Sequence, residues 1–227
     1  MKLYIEELKK KYPNLDEGIT NIEISSKELT DYFVSIIVQG KFTKKDLFFQ
    51  SVVNRTNQCI YASNYCLIND LPFPLLNNIR QMIEIYAVNE FIIDDIKNFD
   101  KAFLGKKDHE DENLRMPNTY TIVQKLRNKE PMIVKVYDEY SELSHPNSRS
   151  VFSIFTPKKG EETEEGLAFT TSSHGRPLEE REAYHVIRNI GGIANRVLIS
   201  TKKINPLAKY ITMEEFAKQL KDEKNKS

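Results

Sequence analysis

The chain predicts a mainly α fold, a helical bundle of about five to seven helices with at most short peripheral strands. Apolar residues recur at helical spacing over two long segments, Lys44 to about Asn69 and Leu75 to about Asp95. A Leu-Pro-Phe-Pro break at Leu71 to Pro74 separates them, so they pack as an antiparallel hairpin. With no Trp and only 8 Gly among 227 residues, the composition argues against a glycine-punctuated all-β design.

The elements follow in order. Leu3 to Tyr12 reads as a short surface helix ended by Pro13, and Ile22, Glu23 and Ile24 alternate as a brief strand does. Ser26 stands where a helix cap would, ahead of DYFVSIIV and a break at Gly40. In the first long helix Phe48, Val52, Cys59, Ala62 and Cys66 form the apolar stripe, with Arg55 inside it. Lys106 to Asn113, which holds His109, is a charged loop. Pro117 opens a helix running to Lys129, and the next helix starts at Pro131 and is stopped by Pro146. Glu161 to Glu165 reads as an acidic loop, and Leu167, Phe169 and Thr171 alternate as a strand. A long helix returns from Pro177 to about Lys203, where Gly191 and Gly192 mark a kink or a close helix contact. His174 falls in the turn before it, and the polar tail 218–227 frays. One helical domain over 1–227 is expected, with its core bundle at about 26–204.

Charge and cysteine usage narrow the function classes. Lys plus Arg and Asp plus Glu balance at 33 each, so no global field draws the chain to nucleic acid or to an anionic membrane, and such binding needs a local patch. No apolar run approaches the roughly 20 residues that span a bilayer, and MKLYIEELKKKYP lacks the apolar region of a signal peptide. Cys59 and Cys66, two turns apart on one helix, read as reduced core thiols. A cytoplasmic location follows. Gly-rich phosphate loops, HExxH, clustered Cys and GxSxG are all missing, as are the Glu-x-x-His repeats of carboxylate-bridged metal bundles.

Polar residues on faces that otherwise look buried are the candidates. Arg80 and Glu84 lie one helical turn apart in an apolar helix. They form either an ion pair that also neutralises Arg55 across the hairpin or the floor of a polar pocket. Glu84→Ala should then cost more stability than Glu90→Ala. Tyr137, Ser141 and His145 recur every four residues, while Val136, Tyr140 and Leu143 occupy the neighbouring core flank. His145, placed at a helix C-terminus by Pro146, is either a cap or a protonated general acid. Arg181, His185 and Arg188 make a basic strip that is either an ordinary solvated face or a holder of RNA phosphates.

An IRxxxE helix followed by Tyr137-x-x-Tyr-Ser-x-x-x-His-Pro-Asn147 resembles helical prokaryotic families related to the HEPN superfamily, which include abortive-infection proteins. The resemblance covers about Lys44 to Asn147 and the helix after Pro177. It implies a helical bundle that dimerises and a metal-independent endoribonuclease of a toxin or phage-defence system. His145 would be the general acid or base, ordered by Arg80 and Glu84, with Tyr137, Ser141, Asn147, Arg149, Arg181, His185 and Arg188 as substrate contacts. It implies no cofactor and no metal; the partners would be RNA, a second copy of the chain and a protein from the same operon. The chain departs from the HEPN pattern in one respect, because only three residues separate Arg181 from His185 where four to six are expected. The alternative is a non-catalytic binding or assembly protein whose polar cluster fixes helix register.

Overall fold

The computed structural model describes residues 2–39, 42–104, 116–144, 155–163, 166–171, 178–207 and 210–224. They are mainly helical, as predicted. The order is α1 (Lys2–Lys11), α2 (Asp16–Val38), α3 (Lys44–Ile68), α4 (Pro72–Asp94), α5 (Asn98–Leu104), α6 (Thr119–Lys125) and α7 (Pro131–Ser144). A hairpin of β1 (Phe155–Thr163) and β2 (Gly166–Thr171) follows, then α8 (Glu180–Ile204) and α9 (Met213–Lys224). The central layer is α2, α3, α4 and α8; α6 and α7 lie on the far side of α4. One apolar core runs through it, from Ile5 and Leu8 of α1 to Leu207 beyond α8. The first helix therefore joins the core.

The α3–α4 hairpin forms as predicted, but α4 begins at Pro72, because a proline in a helix's first turn has no intrahelical bond to lose. Thr43 caps α3: its hydroxyl accepts from the Asp46 N–H, and the Asp46 carboxylate accepts from the Thr43 N–H. Asn118 caps α6 through the Tyr120 N–H, so that helix starts two residues after Pro117.

Several expectations are overturned. Ile22 to Ile24 is helix, not strand: Ile22 faces the core and Ile24 is exposed, so their alternation has no structural meaning. Ser26 is mid-helix and donates to Asn57 Oδ1 of α3 at 2.9 Å, where a cap was expected. The buried face of α3 is rotated by one residue from the predicted stripe, to Phe49, Val53, Thr56, Ile60, Ser63 and Leu67, with Cys59 and Cys66 retained. Arg55 is exposed as a result. Glu161 to Thr163 belong to β1, which supplies the antiparallel partner that the β2 strand needs. Residues 218–224 continue α9, whose start is fixed by the Met213 N–H donating to Asp31 Oδ1 at 2.9 Å.

Gly191 and Gly192 leave α8 unbroken. Of the two readings the close contact holds, because a Cβ at Gly191 would lie 3.5 Å from the Asn21 backbone of α2. Ser25 donates to the Gly191 carbonyl at the same crossing, 3.4 Å away. Both cysteines are free and buried, and burial pushes their thiols above the ordinary value.

Candidate functional site

The predicted polar residues fall into two places, on opposite flanks of α7. On the flank facing α4, Arg80 Nε lies 3.5 Å from Glu84 Oε1, and the Tyr137 hydroxyl donates to the same oxygen at 3.0 Å. The Arg80 guanidinium sits 5.9 Å from the Tyr137 ring centre, over its face. Burial, and next the Glu84 charge, push the Tyr137 hydroxyl up to about 12, against smaller opposing effects of Arg80 and Ser141. Tyr137 thus stays a neutral donor near neutral pH. Arg55 does not join this cluster: it bonds to Gln81 at 2.7 Å and Gln58 at 3.4 Å on the outer face of the hairpin.

This arrangement predicts the stability of two variants. Glu84→Ala removes the acceptor of the buried Tyr137 hydroxyl and the half-buried partner of Arg80, and is expected to cost about 1–3 kcal/mol. Glu90→Gln should do the reverse at neutral pH. Burial, opposed by Lys129, raises the Glu90 carboxyl, so its stabilising contribution is present below the ordinary carboxylate range and is lost as pH rises. Urea midpoints at pH 7 read both effects, and equal midpoints for Glu84→Ala and wild type would show that the cluster contributes nothing.

The other flank of α7 borders a groove of about 1000 Å³ that none of Arg80, Glu84, Tyr137 or Ser141 lines. Both α7 and α8 pack on α4 while scarcely touching each other, which leaves the groove between them with the start of α4 as its floor. The residues reaching it from α8 are spaced for one helical face: Glu182, His185, Val186, Asn189, Ile193 and Arg196. From α7 come Met132, Val136, Tyr140 and Leu143, and from α4 Phe73 and Leu76. Walls and floor are apolar and the rims are charged.

A polar contact spans the groove: the Asn189 amide donates to the Tyr140 hydroxyl at 3.0 Å. Burial raises the Tyr140 hydroxyl, against that donation. Arg196 lies across Gly192, its Nη1 3.4 Å from the Gly192 carbonyl, and is paired with Glu130 at 3.4 Å. His185 is exposed, its ring edge-on to Tyr184 with centres 5.4 Å apart. Lys135 and Arg188 are exposed on the rim, and among the described residues neither has a carboxylate partner. Both acids of the rim are engaged: Glu182 accepts from the Glu179 N–H at 2.9 Å, and Glu139 also has a partner.

Of the residues singled out in the sequence, Arg80, Glu84, Tyr137 and Ser141 therefore gather between α4 and α7. His185 and Arg188 gather at the groove, and Arg181 is exposed on α8 without lining it. His145, Asn147 and Arg149 lie outside the described residues, as do His109 and His174. Sequence reasoning missed Arg196 and Lys135, and it treated Tyr140 as core alone. The helical period linking His185, Asn189 and Arg196 is the signal that could have found the α8 face. Among the described residues no group of three or more His, Cys, Asp or Glu is placed to hold a metal ion, and no helix is long and apolar enough to cross a membrane. No family model, curated protein or solved structure matches this chain.

Proposed function

We propose that this chain is a binding protein for an anionic partner, that the α7–α8 groove is its working surface, and that Arg80, Glu84 and Tyr137 are architecture. The observation that carries this reading is the contrast between the two sites. The Arg80 cluster satisfies itself: its charges pair with each other and its phenol donates inward. The groove presents Lys135 and Arg188 to solvent, and among the described residues neither is ion-paired, although Glu139 and Glu182 share the rim. The Tyr137–Glu84 bond ties α7 to α4, and exposed cations at a concave surface attract anions. The cytosolic setting and the two-fold dimer expected from the HEPN resemblance belong to the same proposal.

A second reading, metal-independent RNA cleavage, is favoured by one fact: His185 and Arg188 line the same groove. Such chemistry asks for a base to activate a 2′-hydroxyl and a cation to stabilise the charged phosphorane. The test is to offer single-stranded RNA to the full chain in the presence of a chelator, and polyphosphate in a separate binding assay. The binding reading expects intact RNA, and polyphosphate binding that weakens in the Lys135→Glu/Arg188→Glu double variant. RNA cleavage abolished by His185→Ala without loss of fold would establish the second reading. Failure of every anion to bind would remove the first.

A further inference from the structure

The groove has more to it than free cations. A site that served only a phosphate backbone would need a row of cations and little depth. Here Lys135 and Arg188 are the cations of the lining with no ion pair among the described residues, while Arg196 is already held by Glu130. The surface below them is mostly apolar, from Phe73 and Leu76 on the floor to Val136 on one wall and Ile193 on the other, interrupted by the Tyr140–Asn189 pair. Its volume of about 1000 Å³ exceeds what an inorganic anion fills and lies at the upper end of sites that enclose small organic ligands. An apolar body burying itself on those walls would gain roughly 25 cal/mol for each Å² removed from water. The Tyr140–Asn189 contact places hydroxyl and amide groups within the groove, where a ligand's polar atoms could find partners.

We propose that the α7–α8 groove binds an amphipathic anion: an alkyl or aryl body seated against Phe73, Val136 and Ile193, with a carboxylate or phosphate head at the rim that carries Lys135 and Arg188. This rests on the reading of the groove as an anion-binding surface and adds the apolar half of the ligand. Both head groups share the chemistry that the rim recognises, a compact anion accepting from ammonium and guanidinium donors.

Titration calorimetry on the full chain, below micelle-forming concentrations, tests this with decanoate, decyl phosphate, decanol and inorganic phosphate. Decanoate and decyl phosphate are expected to bind at one site, their relative affinities showing which head the rim prefers. Decanol should bind at least about fivefold more weakly than the better anion, the equivalent of an exposed ion pair, and inorganic phosphate more weakly still. Lys135→Glu/Arg188→Glu should remove the anion preference and leave decanol unchanged. Val136→Glu should weaken all three alkyl ligands, with Met132→Glu, at an exposed position of the same wall, as the companion should Val136→Glu fail to fold. Decanol equal to decanoate would overturn the anionic head, and phosphate equal to decyl phosphate would overturn the apolar body. If no alkyl anion binds but a short oligouridylate does, dependent on Arg188, the inference fails and the anion-binding reading stands; if neither binds, both fail.

Discussion

Asn89→Asp is expected to lower the unfolding free energy by about 3–5 kcal/mol at pH 7, the cost of a buried charge without a counter-ion. Asn89 sits in the C-terminal third of α4 and is fully buried. Its amide donates to Ser200 Oγ at 2.9 Å and Thr201 Oγ1 at 3.0 Å, and approaches the Val197 carbonyl at 3.4 Å, all on α8. These bonds tie the two central helices at one register. A carboxylate of the same shape has no N–H to give, it meets the Val197 carbonyl as a second acceptor, and the Ser200 hydroxyl is already committed to that carbonyl at 2.9 Å. No cation among the described residues is paired with Asn89 or its α8 partners. Burial raises the pKa of the introduced acid, and the sign follows: a folded-state value above the unfolded one gives a loss that is smallest below the ordinary carboxylate range and grows as pH rises. The variant should therefore recover part of its stability at pH 4 relative to pH 7. Urea melts at the two pH values, with wild type alongside, check this; an unchanged midpoint at pH 7 would mean that the network pins nothing.

The same network shows where the sequence was readable and where it was not. The α3–α4 hairpin is legible because its signals are local: two apolar helical runs around paired prolines. The Arg80–Glu84 pair and its meeting with Tyr137 were half legible for the same reason, since one-turn spacing and a hydroxyl stripe both read along a single helix. Helix α2 was obscured by Ser25 and Ser26, and the face of α3 by Thr56, Ser63 and Asn64, all buried polar residues that interrupt the apolar period. Their burial depends on partners far along the chain: Asn57 for Ser26 and the Gly191 carbonyl for Ser25. The groove could not be read at all. It exists because α7 and α8 both rest on α4 without closing on each other, a fact of tertiary packing that no periodicity within one helix contains.

Asp46→Ala is the companion case, in which one side chain serves both a local signal and a distant one. Locally, Asp46 completes the cap of α3, its Oδ2 accepting from the Thr43 N–H and hydroxyl, each at 2.7 Å. At long range its Oδ1 accepts from the Asn205 amide at 3.0 Å, where the chain leaves α8. Asn205 in turn accepts at its carbonyl from the Tyr32 hydroxyl of α2, 2.8 Å away, so three helices meet at this carboxylate. Losing the carboxylate's half of the capping box costs about 1 kcal/mol, the Thr43 hydroxyl still accepting from the backbone N–H of residue 46, and leaving the buried Asn205 amide without its acceptor adds about 1–3 kcal/mol. A total near 2–4 kcal/mol is expected at pH 7. The pH dependence is opposite to that of Asn89→Asp. Desolvation raises the Asp46 carboxyl, but the bonds from Asn205 and Thr43 outweigh it and hold the carboxyl below the ordinary value. A depressed folded-state value gives stability that is present above the unfolded value and lost as pH falls through the folded one, so the gap between wild type and Asp46→Ala should narrow below the ordinary carboxylate range. Asp46→Asn separates the two parts, since an amide oxygen can still accept from Asn205 while its NH₂ cannot accept from Thr43. If Asp46→Asn and Asp46→Ala melt alike, the loss lies in the cap; if Asp46→Asn recovers most of the stability, it lies in the tie between α3 and the end of α8.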